Sequence, residues 1–441
     1  MMRLLLVLFL CGGLSCAKMD NAGELIEETE KPCIEPDCPK IQCPPGENRI
    51  LRGKTTYPNG RDPLGNAFVY IPLSDTLPQI PSGVSCDLCS GMGVGRTVAT
   101  TISSTDGSFE LRGVPSGDAI PLVVQKGRFR RLVHVRVPPC GVTTLDTEQT
   151  RLPRNRSEGN LPRMAVSLGR YDAIECVLRN IGISDEEFGT PNLNRSIHLY
   201  ENDSSPAYPG KTPLPDLMES LNRLSDYQML FINCAGGTYT RRLLADAQVR
   251  QNLVEYLKKG GRMYATDWSY DFIGQLPELS PFICFKDDQD CSVTTPHGLG
   301  TAGFSAYGGA MGNYLLDVLP AEKGLSDFLS LLKPPVPSKG ISAFLSFQWA
   351  QVAQLSPDQK RYPSKALLQT GPEWARQPMT VTFDYPPGAG CGRVLFSSYH
   401  TRERISHGLF PSYCPTDGMV PQEWILEYLL LDLADCIGPP G

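Results

Sequence analysis

Residues 228–268 read QMLFINCAGGTYTRRLLADAQVRQNLVEYLKKGGRMYATDW, and this stretch decides the fold class. The apolar run Gln228–Asn233 is short enough for a strand and apolar enough to be buried on both faces. Gly236-Gly237 interrupt it. A helical pattern follows over 241–261 and closes on Lys258-Lys259-Gly260-Gly261, where cations favour the negative end of the helix dipole and glycine accepts the C-cap. A second strand, Arg262–Trp268, comes directly after. Strand, helix and strand with short connections make a parallel pair with its helix packed on one face.

The same alternation surrounds this unit. MAVSLG (164–169), DAIECVLRNIGI (172–183), IHLYEN (197–202) and LPDLMESLNRLSDY (214–227) precede it. After it come MTVTFDY (379–385), a PPGAG turn, GRVLFSSYH (392–400) and a last helix, QEWILEYLLLDLADC (422–436). An α/β domain over 164–438 is expected, with a mostly parallel sheet covered on both faces and an irregular insertion at about 281–340.

Upstream the pattern changes. Between 49 and 150 lie six short apolar runs: RILRGKTTY, AFVYIPL, RTVATTI, SFELRGV, IPLVVQK and RRLVHVRV, separated by turn signals. They predict an all-β sandwich, joined to the α/β domain by a connector over 151–163. Asp106-Gly107 reads as a hairpin turn, since glycine tolerates the positive φ that tight turns demand. Lys126–Arg136 (KGRFRRLVHVR) predicts a solvated basic face, with binding of an anionic glycan or lipid headgroup as the alternative.

A chain of 441 residues exceeds what one core usually holds, and 41 basic against 47 acidic residues argues against nucleic acid as a partner. Fifteen cysteines point to an oxidising compartment. The N-terminus agrees. Arg3, an eight-residue apolar run from Leu4 to Cys11 and small residues after it read as a signal peptide over 1–15, too short to cross a bilayer core of about 30 Å. Gly13-Leu14-Ser15-Cys16 resembles a bacterial lipobox, with Leu14 two residues before the cysteine where the pattern prefers three. That resemblance implies lipidation of Cys16, and Ala17 in place of Asp implies delivery to the outer membrane. The expected address is the bacterial cell envelope, with an N-terminal lipid anchor in the membrane. Residues 16–48 form an acidic, Pro- and Cys-containing linker that cannot bury a core.

Two blocks of the β region, GKTTYPNGRDPLGNAFVYIP (53–72) and STDGSFELRGVPSGDAIPLVV (104–124), resemble the carboxypeptidase regulatory-like, or transthyretin-like, domain. The resemblance implies a spacer or surface-binding unit without chemistry of its own. In the second half, SDYQMLFINCAGG (225–237), LVEYLKKGGRMYATDWSYDF (253–272) and GCGRVLFSSYHTRE (390–403) resemble the flavodoxin-like core of class I glutamine amidotransferases and their trehalose-utilisation-type relatives. That family sets a nucleophilic cysteine on a tight elbow after a strand, with a histidine and a glutamate to activate it. Here the elbow reads Asp267-Trp268-Ser269, with no cysteine and no flanking glycine. Ser269 and Cys234 are the candidate nucleophiles, and His400 and Glu403 the candidate partners, one residue further apart than in the family pattern. A non-catalytic role in binding a glycan or protein, or in structure, is the first expectation. A hydrolase or amidotransferase-like enzyme using Cys234 or Ser269 with His400 is the alternative.

No metal site or cofactor is expected. Asp287, Asp288 and Asp290 lack the spacing of a calcium loop. Gly298–Gly303 matches G-x-G-x-x-G without a preceding strand. His134, His198, His297 and His407 are scattered. The cysteines Cys86, Cys89, Cys140, Cys176, Cys284, Cys291, Cys391, Cys414 and Cys436 are disulfide candidates. Short spacing suggests Cys86–Cys89 and Cys284–Cys291, places on the first and last helices suggest Cys176–Cys436, and Cys391–Cys414 is a further bridge, although connectivity does not follow from sequence. An odd number remains after Cys11 and Cys16 are set aside, which leaves Cys234 as the expected free thiol.

Overall fold

The computed structural model describes residues 18–19, 25–26, 43, 48–87, 95–169, 171–202, 210, 212–235, 237–286, 314–336, 341–345, 350–371, 376–388, 390–402 and 408–437. Cys16, Cys89, Cys291, Glu403 and the acidic and glycine-rich motifs of 287–303 lie outside them. Among the described residues the chain is a multidomain mixture of sheets and helices, and no helix is long and apolar enough to cross a membrane.

Among the described residues of 48–163 the chain forms eight strands: β1 (Ile50–Lys54), β2 (Phe68–Pro72), β3 (Thr97–Ile102), β4 (Ser108–Arg112), β5 (Gly117–Lys126), β6 (Phe129–Val137), β7 (Val142–Thr144) and β8 (Gly159–Asn160). They form a five-stranded antiparallel sheet in the order β8-β6-β5-β2-β3 and a three-stranded sheet in the order β4-β1-β7. Alternating side chains of both, among them Leu51, Val69, Ile71, Phe109, Leu122 and Val135, meet in one core. The residues expected to be a connector therefore supply an edge strand, β8. Asp106-Gly107 does turn, with φ +78° at Gly107, but it makes no hairpin. The strand before it joins the five-stranded sheet, and the strand after it pairs with β1. Turn chemistry sets the reversal of the backbone, not the partner that the next strand finds.

The second half is built on β9 (Met164–Leu168), β10 (Phe188–Gly189), β11 (Ile197–Glu201), β12 (Met229–Ile232) and β13 (Arg262–Thr266). It continues with β14 (Ile283–Phe285), β15 (Tyr314–Pro320), β16 (Ile341–Leu345), β17 (Val352–Leu355), β18 (Lys365–Thr370), β19 (Gln377–Tyr385) and β20 (Gly392–Ser397). A ten-stranded sheet runs β10-β11-β9-β12-β13-β20-β19-β18-β15-β16, and β14 pairs with β17 apart from it. The first six strands are parallel and the last four alternate, so the sheet is mixed, with five parallel and four antiparallel pairings. The antiparallel pairings begin with β20 and β19, and the insertion expected to be irregular adds to them β15, which extends the sheet by pairing with β18.

Helices cover both faces. On one side α1 (Ile174–Asn180) packs with two helices near the C-terminus, Lys323–Leu331 and Pro421–Ala434. The other side carries α2 (Leu214–Met218), α3 (Leu221–Ser225), α4 (Gly237–Ala245) and α5 (Ala247–Lys258). The helix expected over 241–261 is split because the Asp246 carboxylate caps α5, accepting from Gln248 N–H. Ser220 splits the preceding segment in the same way.

The two halves share a core. Tyr57, Leu64, Val124 and Phe129 of the β half cluster with Ile425, Leu429 and Leu433 of the last helix. This junction corrects the reading of Lys126–Arg136 as a solvated face. Lys126, Arg128 and Arg130 are buried, Lys126 pairs with Asp435, and Arg128 donates to Asp87, Ser85 and the carbonyls of Pro81 and Gly83.

Three disulfides lie wholly within the described residues: Cys43–Cys140, Cys86–Cys391 and Cys176–Cys414. Cys86 therefore does not pair with Cys89, nor Cys176 with Cys436, nor Cys391 with Cys414. Cys284 and Cys436 are also disulfide-bonded. The pairings join segments that the fold brings together, Cys176 among them on α1, across sequence separations of 97, 305 and 238 residues.

Candidate functional site

The chain leaves β9 towards β11 on one side of the sheet and returns to β12 on the other. Such a switch point opens a crevice at the carboxyl ends of the strands. Four residues just beyond these ends gather there: Asp172 after β9, Cys234 after β12, Asp267 after β13 and His400 after β20. Gly169 permits the approach, because a Cβ on it would lie 2.3 Å from the Cys234 carbonyl oxygen.

Asp172 ties three strand ends together. Its carboxylate accepts from Thr266 Oγ1 (2.5 Å), Thr401 N (3.0 Å) and Thr401 Oγ1 (2.6 Å). Thr266 Oγ1 in turn accepts from Cys234 N at 3.0 Å. This buried charge is thus supplied with donors, and those donors set the positions of Cys234 and His400.

Asp267 occupies the elbow. Its φ of +41° lies in the left-handed region, which a residue other than glycine adopts when its surroundings hold it there. Oδ1 accepts from Ala350 N at 2.7 Å. Oδ2 faces Cys234 Sγ at 3.8 Å and His400 Nε2 at 3.9 Å. The three donor atoms lie within 4.8 Å of one another, and all three residues are at most 2% exposed. Burial pushes the Asp267 carboxyl up to about 7, against the opposing attraction of His400. Burial also raises the Cys234 thiol well above its ordinary range, and the Asp267 carboxylate adds to the rise. Such a thiol is a poor nucleophile.

The histidine is oriented from behind. His400 Nδ1 lies 2.8 Å from Thr401 O, and its own carbonyl accepts from Gln422 Nε2. Nε2 points towards Asp267 and Cys234 and has no hydrogen-bond partner among the described residues.

Of the residues singled out from the sequence, Cys234 and His400 meet here, and Cys234 is a free thiol. Ser269 donates its hydroxyl to Asn233 O (2.9 Å) and is buried. Asp267 was missed as a site residue. Its place directly after the strand Arg262–Thr266 was a signal for the elbow residue. His400, which is not one of the four scattered histidines, comes together with one cysteine and one carboxylate.

No family model matches the chain and no curated relative matches it. Among solved structures, a cytoplasmic protein from Salmonella typhimurium aligns over 62% of this chain and 98% of its own, at 11% identity and a TM-score of 0.32. A ThuA-like protein from Parabacteroides merdae aligns over 63% of this chain and 91% of its own, at 11% identity and a TM-score of 0.33. A cold-adapted beta-galactosidase from Rahnella sp. aligns over 64% of this chain but 32% of its own, at 11% identity and a TM-score of 0.28. TM-scores this low carry no argument.

Proposed function

We propose that the protein is an exported, lipid-anchored envelope protein of bacterial type. In this reading a transthyretin-like sandwich and an amidotransferase-like, flavodoxin-like domain serve binding or structure without amidotransferase chemistry. The observation that carries the functional part is the elbow. The position that would present a nucleophile holds Asp267, whose carboxylate is turned to Cys234 and His400. Acyl transfer needs an activated thiol or hydroxyl beside a base. Cys234 instead faces a carboxylate that disfavours its thiolate, and the Ser269 hydroxyl is engaged by a backbone carbonyl. The address rests on the leader, on Cys16 after it and on the several disulfides.

The test is covalent trapping. Native full-length protein is incubated with glutamine, amide and ester substrates and with electrophilic analogues, then read by peptide mass spectrometry. We expect no adduct on Cys234 or Ser269 and no turnover above that of the Cys234→Ser, Ser269→Ala double variant. An acyl adduct on either residue, or turnover that the double variant abolishes, overturns the reading. The same digest reports the address: a diacylglyceryl thioether on Cys16 is expected, and an unmodified Cys16 or a cleavage site elsewhere removes the anchor.

A further inference from the structure

We propose that Cys234, Asp267 and His400 are three ligands of a bound divalent transition metal of the zinc class. The inference deepens the reading of the strand ends as a binding site and rests on it. Its starting point is the histidine. A carbonyl oxygen can only accept, so the contact between Nδ1 and Thr401 O assigns the proton to Nδ1 in the neutral ring. The lone pair is then on Nε2, and it is aimed at a carboxylate oxygen 3.9 Å away and at the cysteine sulfur. In the protonated ring the Nε2–H would have no acceptor within hydrogen-bond distance among the described residues. Imidazole nitrogen, carboxylate oxygen and sulfur, all electron-rich and all buried, converge on one point. A cation placed there would take the place of the Cys234 S–H proton, which now faces Asp267 Oδ2, and would give the Nε2 lone pair a partner.

The arrangement has the supports that metal ligands have. The ligating histidine is oriented by a backbone carbonyl on its other nitrogen, and the carboxylate by Ala350 N–H on its other oxygen. Cys234 is held through its amide by Thr266, and Thr266 by Asp172. Donors around a tetrahedral zinc ion lie about 3.3–3.6 Å apart. The observed 3.8 and 3.9 Å therefore need only a small contraction of side chains. Thiolate and imidazole select zinc-class ions over magnesium and calcium, which prefer all-oxygen sites. On binding, the Cys234 sulfur–hydrogen bond is exchanged for a sulfur–metal bond and the proton leaves to solvent.

Cobalt(II) replaces zinc as the probe. Full-length mature protein, stripped with chelator and titrated with Co²⁺, is expected to bind one ion per chain and to show a thiolate-to-cobalt charge-transfer band. Zn²⁺ should displace it. Cys234→Ser should remove the band. Asp267→Asn and His400→Gln should weaken binding by at least about 100-fold, more than the loss of an outer-shell partner. The serine and asparagine variants preserve shape, so thermal melting shows whether they remain folded, and the wild-type spectrum stands without them. A folded wild-type protein with no cobalt spectrum overturns the proposal, as does a Cys234→Ser variant that keeps the band. Failure here with no covalent adduct in the trapping experiment leaves the non-catalytic reading intact. An adduct on Cys234 in metal-free protein overturns that reading instead.

Discussion

Glu427 and Asp267 are both buried carboxyl groups, yet the molecule treats them differently. Glu427 lies on the last helix at the junction of the two halves, fully buried, with the Asp62 carboxylate as the largest charged influence after burial itself. Both effects raise its pKa well above the ordinary glutamate range, so the group keeps its proton and serves as neutral packing. Asp267 sits at the strand ends against a thiol and an imidazole nitrogen, in a left-handed backbone conformation. An acid beside an acid is resolved by a proton. An acid beside a sulfur and an imidazole lone pair calls for a cation, and the difference lies in the neighbours rather than in the depth of burial.

The strongest way to break this comparison is to cut the junction and ask whether the strand ends notice. Cys86–Cys391 closes a loop across a sequence separation of 305 residues. The double variant Cys86→Ser, Cys391→Ser should lose about 3–5 kcal/mol in urea unfolding, while cobalt binding at Cys234 stays within a factor of about two. A large change in cobalt affinity would show the two places to be coupled. The converse variant is Asp172→Ala, which leaves the Thr266 and Thr401 donors without their buried acceptor. A cost of about 2–4 kcal/mol is expected, together with a cobalt affinity reduced about 10–100-fold.

Glu427→Gln sharpens the comparison. Because the folded pKa of Glu427 is raised, the folded state holds a proton that the unfolded chain releases above its own pKa of about 4.5. Stability from this group is complete below that value and declines as pH rises. The glutamine variant should therefore be more stable than wild type at pH 7 by at least about 1 kcal/mol and should show a flatter pH profile. A variant that is less stable at neutral pH would mean that Glu427 is ionised and paired.

The smallest effect belongs to His198, whose two ring nitrogens are both partnered, by Tyr227 OH at 2.6 Å and Leu193 O at 3.0 Å. Burial, with Arg163 as the next cause, lowers its pKa to about 4. The unfolded chain takes up a proton at about pH 6.5 and the folded chain does not, so stability should fall as pH drops from about 6.5 towards 4. His198→Gln should flatten that window. An unchanged urea midpoint of the wild-type protein across it would disprove the shift.

Much of the β half was legible because its signals are local. The six apolar runs correspond to β1 through β6, each a short alternating segment between turns. The Asp106-Gly107 turn was legible as a turn, but the partner of β4 was not, since β1 lies more than fifty residues upstream. The buried fate of Arg128 was hidden for a similar reason. An arginine on an alternating strand reads as solvent-facing until another element, here Ser85 and Asp87, is laid over it.

By itself the sequence determined β1 through β6 and the strand-and-helix alternation around β9, β11, β12, β13, β19 and β20, and it singled out Cys234 and His400, because hydrophobic period, turn chemistry and residue type are written within a few positions of one another. Only the tertiary structure decided that β15 extends the sheet, which cysteines join, and that the Asp267 carboxylate turns to both site residues. Those outcomes depend on contacts between residues tens to hundreds of positions apart, and on a backbone angle at Asp267 that the packed strand ends impose.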